Sequence, residues 1–352
     1  MRRGFSVGGR PIGDGAPVFI VAEAGVNHNG DVALARRLVD VAVEAGADAV
    51  KFQTFRTEAL VSRDAPKAGY QRATTAAFES QREMLARLEL GPDDHALLQE
   101  HAAKRGILFF SAPFDEKSAD LLEALGVAFF KLPSGEITNL PLLRHVAGKG
   151  KPVFLSTGMS TLDEVAQAVA EIRAAGDPPL ALLHCVSAYP APPSEMNLRA
   201  MDTLRERFAG PVGLSDHTLG IEIAIAGVAR GAAIVEKHLT LDKNLPGPDH
   251  HASLDPSEFA SLVRAIRSVE AALGDGEKRP MPSEADTRKV ARKSLVAARP
   301  IRAGQILTAD LVAIKRPGTG ISPADLGRVL GHVVRRDLAQ DEVIDWRALG
   351  EP

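Results

Sequence analysis

PVFIVAEAGVNHNGDVALARRLVDVAVEAGADAVKFQTF, residues 17–55, holds one strand–helix–strand repeat and decides the fold class. PVFIVAEAG (17–25) and AVKFQTF (49–55) are apolar along nearly their whole length. Strands of that kind are covered on both faces, the condition of a parallel sheet wrapped by helices. Between them, DVALARRLVDVAVEAG (31–46) repeats apolar residues at helical spacing. Asp31 stands as its N-terminal cap, and Gly46 suits a left-handed C-terminal cap.

Working outward, the same texture recurs in ILFFSAPF (107–114), AFFKLPSG (128–135), PVFLSTGM (152–159), LALLHCVSAYP (180–190), PVGLSDHT (211–218) and AIVEKHLT (233–240). With the first two strands these make eight β/α units, the number that closes a (β/α)₈ TIM barrel, whereas an open doubly wound sheet usually stops earlier. In TLDEVAQAVAEIRAAG (161–176), Leu162, Val165, Ala166, Val169 and Ile172 are expected on one buried face, with Thr161 and Glu164 as a capping box. Gly106 and Gly176 are expected as left-handed caps like Gly46. Residues 56–80 form a long insertion after the second strand, where barrels carry substrate lids. Charged, Gly- and Pro-containing sequence then breaks the pattern. The expected organisation is a barrel over 1–280, a linker over 281–294, and a small β-rich domain over 295–352. A domain of that size is marginal alone, so it is expected to dock on the barrel or on a partner subunit.

Composition narrows the function classes. Of 352 residues, 45% are hydrophobic and 25% charged, as in an average folded soluble protein. A formal net charge of −3 gives no reason to expect nucleic acid or a membrane surface as partner. No apolar run approaches the ~20 residues of a membrane span, and the start lacks a signal-peptide core. Cys185 is the only cysteine, which excludes an internal disulfide and fits the cytoplasm. By itself it reads as a small buried hydrophobe.

Barrel enzymes place their chemistry at the C-terminal strand ends. Those ends carry Glu23; Lys51 and Gln53; Ser111; Lys131 and Ser134; Ser156 and Thr157; Ser187 and Tyr189; Ser215, Asp216 and His217; Glu236, Lys237 and His238. So many polar tips on one rim are costly to desolvate without a ligand. Lys51, Lys131, Ser134, Ser156 and Ser215 suit the phosphate and carboxylate of one small ligand, although either lysine alone could be a salt bridge. His217 and His238 end adjacent strands, about 4.8 Å apart, and could share one ion. With two nitrogens and no thiolate set, an open octahedral site for Mn²⁺ or Mg²⁺ is favoured over closed zinc. His250 and His251 are read as outlying or solvent-facing.

AEAGVNHNG (22–30), VKFQTF (50–55), KLPSGEITNLPLL (131–143), LSTGMST (155–161), LHCVSAYPAP (183–192), GLSDHT (213–218), EKHLT (236–240) and GPDHHASLDP (247–256) strongly resemble the sialic acid synthase family. KRPGTGIS (315–322) resembles its antifreeze-like (SAF) domain, so the resemblance covers nearly the whole chain. It implies condensation of phosphoenolpyruvate with an open-chain N-acetylmannosamine-like aldehyde, making a nonulosonate and releasing phosphate by C–O cleavage. It implies His217 and His238 as metal ligands for Mn²⁺, with Mg²⁺ or Co²⁺ as alternatives. Lys51, Lys131, Ser134, Ser156, Ser187 and Ser215 match phosphoenolpyruvate contacts. Gln53, Tyr189 and Asp249 match positions near the sugar, and Glu23 is the candidate for handling a proton. The resemblance also implies a domain-swapped homodimer in which Arg316 reaches the sugar of the partner's site.

Two positions depart from the family pattern: Ala112 stands where Thr is frequent, and Ser187 where Asn is common. PKAGYQ (66–71) and GPDHHASLDP are closer to bacterial members that include N,N′-diacetyllegionaminate synthases, which take 2,4-diacetamido-2,4,6-trideoxymannose. Two other classes are weaker. A metal-dependent barrel hydrolase would expect more metal ligands and no need of two phosphate-directed lysines. A non-catalytic polysaccharide-assembly or ice-binding protein would not need Lys51, Lys131 and both histidines.

Overall fold

A computed structural model describes residues 4–76 and 78–351. The chain forms two compact units, Met1–Gly274 and Asp275–Pro352. In the first, an antiparallel hairpin of β1 (Gly4–Val7) and β2 (Arg10–Gly13) precedes eight parallel strands. These are β3 (Phe19–Gly25), β4 (Ala49–Thr54), β5 (Leu108–Pro113), β6 (Phe130–Leu132), β7 (Val153–Ser156), β8 (Leu180–Cys185), β9 (Val212–Asp216) and β10 (Ile234–His238). Their order is β5–β4–β3–β10–β9–β8–β7–β6, and the end strands β5 and β6 pack side by side, so the sheet nearly closes.

Alternation along each strand sorts the core into an inner and an outer layer. Inside, Phe19, Val21, Phe110, Phe129, Phe154, Leu183 and Ile234 pack with Val7 and Ile12 of the hairpin, which plugs the barrel at its N-terminal end. Outside, Ile20, Val50, Leu132, Leu155 and Leu214 pack under the helices. The helix Val32–Ala45 buries Leu38, Val39 and Ala42 there. Its start is fixed by the Asp31 carboxylate, which accepts from the Ala33 and Leu34 amides, and its end by Gly46 at φ 84°. Truncating a buried leucine such as Leu38 to alanine costs about 2–5 kcal/mol by transfer and cavity terms.

Two local expectations need correction. In the helix Leu162–Ala175 the buried face is Val165, Ala168, Val169 and Ile172, while Leu162 is exposed. Leu162 is the first helical residue, lying before the turn that meets the sheet. Gly176 is extended, at φ 171°, not left-handed. Its glycine answers a close approach instead, because a Cβ there would stand 2.7 Å from the Ala147 carbonyl oxygen.

The second unit pairs β11 (Ser294–Ala297) with β12 (Val312–Lys315). Single bridges such as Ile301 to Leu338 and Val334 to Leu349 extend this irregular β-structure. It has its own small core of Leu295, Ile301, Leu307, Val329, Val334 and Ile344. Within the stretch read as a linker, Ala285–Ala291 forms a short helix.

Candidate active site

Above the phenylalanine layer the inward positions turn polar. Glu23, Lys51, Lys131, Ser156, Cys185, Ser215, His217, Glu236 and His238 line one cavity of about 440 Å³ with Gln53, Ser134, Ser187, Tyr189 and Asp249. Sheet register explains the convergence: Glu23 lies opposite both Lys51 and His238, and Ser215 lies opposite both Cys185 and Glu236. Four residues of the expected rim face outward instead. Lys237 donates to the Asp216 carboxylate (2.7 Å) and to the Thr218 carbonyl (2.5 Å). Thr54 donates to Ser111 (2.7 Å), and Thr157 to the Leu183 carbonyl (3.1 Å). Each stands one residue from an inward position, and a one-residue step reverses the face.

The floor of the cavity is a buried charge cluster. Lys51 Nζ lies 2.8 Å from Glu236 and 3.3 Å from Glu23, while Lys131 Nζ lies 3.6 Å from Glu236. Ser215 Oγ donates to Glu236 (2.9 Å), and Gln53 Nε2 donates to Glu23 (3.2 Å). Burial would raise Glu236, but the two ammonium groups outweigh it and hold its carboxyl well below the usual range. Burial pushes the Glu23 carboxyl up to about 7, against the pull of Lys51. It also brings the Lys131 ammonium down to about 8 despite Glu236, whereas Glu23 and Glu236 outweigh burial at Lys51 and hold it above its usual value. At neutral pH the cluster thus offers cations to an anion and a carboxyl poised to hold or give a proton.

Hydroxyls and one backbone turn complete this end. Ser156 Oγ is buried with no hydrogen-bond partner among the described residues. The Gly158 amide donates to Ser134 Oγ (2.9 Å). A Cβ at Gly158 would lie 2.4 Å from Ser187 Oγ, 2.8 Å from Ser134 Oγ and 3.3 Å from Cys185 Sγ. Only glycine lets the two serines and the thiol approach the turn so closely.

The two histidines meet as expected, with ring centroids 5.3 Å apart. His217 Nδ1 bonds the Val186 carbonyl (2.7 Å), leaving Nε2 as the atom with a free lone pair. His238 Nδ1 is buried without a hydrogen-bond partner among the described residues, and lies 3.9 Å from Asp249. Burial and then His217 hold His238 well below the usual imidazole value, which favours its neutral form. Burial also opposes charge on His217, but the Cys185 sulfur 3.8 Å away outweighs it and raises its value. No group of three or more His, Cys, Asp or Glu is gathered around an ion position among the described residues. Two imidazoles with one orphaned nitrogen would suit an ion that leaves its other positions to substrate and water.

Tyr189 packs against His217 (4.1 Å between centroids), and Tyr70 from the insertion packs against Tyr189 (4.9 Å). Burial raises Asp249 to about 6. Leu60, Val61, Ala68, Met84, Leu85 and Leu88 also line the cavity and make part of its wall apolar. His250 is buried, bonded to Thr240 Oγ1 (2.7 Å) and Asn29 (3.3 Å), and His251 is exposed. Arg316 lies in the second unit, its Nε donating to the Ala291 carbonyl (3.0 Å). The sequence reading left Glu236 without a role and took Cys185 as packing. Spacing carried the signal, since Glu236 sits two residues from His238 and Cys185 two from Leu183.

Residues 38–278 match the NeuB family and residues 292–349 match the SAF domain. The chain is 47% identical over 342 residues to the N,N′-diacetyllegionaminic acid synthase of Legionella pneumophila, covering 96% of each. It is 38% identical over 338 residues to human N-acetylneuraminate-9-phosphate synthase, covering 96% of this chain and 94% of that one. The crystal structure of N-acetylneuraminic acid (sialic acid) synthetase from Leptospira borgpetersenii is 37% identical, with a TM-score of 0.72 over 82% of this chain and 95% of that chain. The chain belongs to the NeuB family, with a SAF domain after its barrel, and is a nonulosonate synthase that forms a C–C bond.

Proposed function

We propose that this chain condenses phosphoenolpyruvate with the open-chain aldehyde of an acetamido sugar, 2,4-diacetamido-2,4,6-trideoxymannose before N-acetylmannosamine. The observation that carries the reading is the pair of buried ammonium groups, Lys51 and Lys131, held by Glu236 beneath Ser134, Ser156 and Ser215 in one cavity. That set matches a small ligand bearing both phosphate and carboxylate. The carbon–carbon bond forms between phosphoenolpyruvate C3 and the aldehyde carbon, whose oxygen takes a proton. Water adds at C2, and breaking the bond from C2 to the bridging oxygen releases inorganic phosphate and leaves a 2-keto acid.

Glu23, poised near neutral pH beside Lys51 and Gln53, is the group proposed to move the proton. His217 and His238 would hold a divalent ion, Mn²⁺ first with Mg²⁺ or Co²⁺ as alternatives, and the ion would supply Lewis-acid polarisation of the aldehyde. Tyr189, Gln53 and Asp249, which line the same cavity, are the groups proposed to meet the sugar. The apolar wall favours a deoxy sugar, since the C6 methyl and two acetyl methyls bury apolar area there. Higher identity to the Legionella relative than to the human one, 47% against 38%, supports the same choice. The resemblance also supports a cytoplasmic, domain-swapped homodimer in which Arg316 reaches the partner's sugar.

Incubating the full chain with phosphoenolpyruvate, Mn²⁺ and each sugar, and following phosphate release, tests the reading. Release that depends on the sugar, with higher kcat/KM for the diacetamido acceptor, is expected. Release without any aldehyde would point to hydrolysis, and no release with either sugar would sink the proposal.

A further inference from the structure

The insertion between β4 and the helix Gln81–Leu88 has almost no core of its own. Over 56–72, 74–76 and 78–80 its buried residues are Thr57 and Lys67. Lys67 is an unusual choice for that place, because an ammonium loses its hydration on burial and persists only where hydrogen bonds replace it. Here they do. Nζ donates to Thr75 Oγ1 (2.9 Å), to the Ala76 carbonyl (2.9 Å) and to the Glu79 carboxylate (3.2 Å), using all three of its donors. Glu79 is held in turn by Arg87 of the following helix (2.6 Å), and Arg72 donates to the Lys67 carbonyl (2.7 Å).

The partners lie 8 to 12 residues downstream, so the ammonium ties the two ends of a short loop together. What the loop encloses is the helix Gly69–Thr74, with Tyr70 packed on Tyr189 and Gln71 lining the cavity. Gln71 is itself tied to the Ala68 amide (2.9 Å) and to Gln81 (3.4 Å). Lys67 does not line the cavity.

We propose that Lys67 is a positioning residue for sugar selection: its buried three-way staple sets the Gly69–Thr74 turn so that Tyr70 and Gln71 form the sugar's side of the cavity. The inference rests on the proposed condensation for the meaning of that side as the sugar's. The staple itself stands on the contacts alone. Phosphoenolpyruvate would be held by Lys51 and Lys131 on the barrel strands, outside the insertion, so losing the staple should separate the two substrates kinetically. A merely structural lysine would change stability, or both substrates together.

The test compares wild type, Lys67→Met and Glu79→Gln as full chains, by hydrogen exchange of the insertion and by steady-state kinetics. Lys67→Met keeps the length of the stem and removes every donor, while Glu79→Gln keeps an acceptor and tests the charge. Expected in Lys67→Met are at least tenfold faster exchange across 68–76 with barrel strands unchanged, and about tenfold higher KM for the sugar with KM for phosphoenolpyruvate within twofold. Glu79→Gln should show the same pattern at smaller size. Unchanged exchange in both variants overturns the staple whatever the enzyme's activity. Faster exchange with sugar KM unchanged, or with both KM values rising alike, overturns the role in selection. If Lys67→Met does not fold, Glu79→Gln decides by the same criteria. Absence of turnover in wild type would overturn the proposed condensation, and with it the role in selection, while the exchange data still decide the staple.

Discussion

Glu236→Gln removes the carboxylate that, among the described residues, touches both buried lysines, and keeps the side chain's shape. At 2.8 Å from Lys51 and 3.6 Å from Lys131, the two attractions amount to about 6 and 5 kcal/mol at an effective dielectric of ~20. Most of that is offset by desolvation of the charges, and breaking a buried pair by removing one partner costs about 3–5 kcal/mol net. Lys51 retains Glu23 at 3.3 Å, so the loss falls mainly on Lys131, and the low end, about 3 kcal/mol, is expected. For a unit of this size that lowers Tm by roughly 6–12 °C. The substrate's anionic groups should then replace the lost charge. Differential scanning fluorimetry with and without phosphoenolpyruvate reads both effects. The account predicts a large fall in Tm without ligand and a ligand-induced rise greater than in wild type. A Tm within 2 °C of wild type, or a smaller rise with phosphoenolpyruvate, would refute the reasoning.

Glu23 carries the pH dependence. Its carboxyl is raised from 4.5 to about 7 in the folded chain, so between those values the native state binds the extra proton. Glu23's contribution to stability is therefore present at low pH and is lost as pH rises towards 7, a slope that Glu23→Gln should flatten in urea titrations; an unchanged slope would contradict the assignment. The same variant should lose a kcat/KM limb near pH 7. Gly158→Ala places a methyl between Ser134 and Ser187 and should raise KM for phosphoenolpyruvate more than tenfold; equal KM would mean the two serines do not meet the substrate. His217→Ala should abolish both the metal-dependent rate and Mn²⁺ binding by calorimetry, and wild-type binding should strengthen as pH rises because the ion displaces a proton from His217. Full rate in that variant would remove it from the ligand set.

How far the site was legible follows from the period of a strand. Phe19, Val21 and Glu23 already show that whatever follows an inward apolar pair faces the cavity, and the same count finds Lys51, Ser215 and His238. Applied strictly, it also selects Glu236 over Lys237, Cys185 over His184 and Ala112 over Ser111. Treating every polar strand end as rim lost that distinction. The Asp216–Lys237 pair looks like catalytic chemistry in the sequence, yet it joins neighbouring strands behind the helices. Gly176 and Gly158 illustrate another limit. Both are glycines for the sake of a distant neighbour, Ala147 in one case and Ser187 in the other, and a local sequence carries no trace of that approach. Lys67 was hidden for the same reason, since its acceptors lie across a turn whose closure only the folded chain defines.

The central claim, condensation with rupture of the C–O bond of phosphoenolpyruvate, has a direct isotopic test. Phosphoenolpyruvate labelled with ¹⁸O at the bridging position is turned over with the acetamido sugar and Mn²⁺, and both products are analysed by mass spectrometry. The account predicts ¹⁸O in the released phosphate and none in the new 2-keto acid. Label retained in the sugar acid, or labelled phosphate formed at the same rate without any sugar, would contradict it.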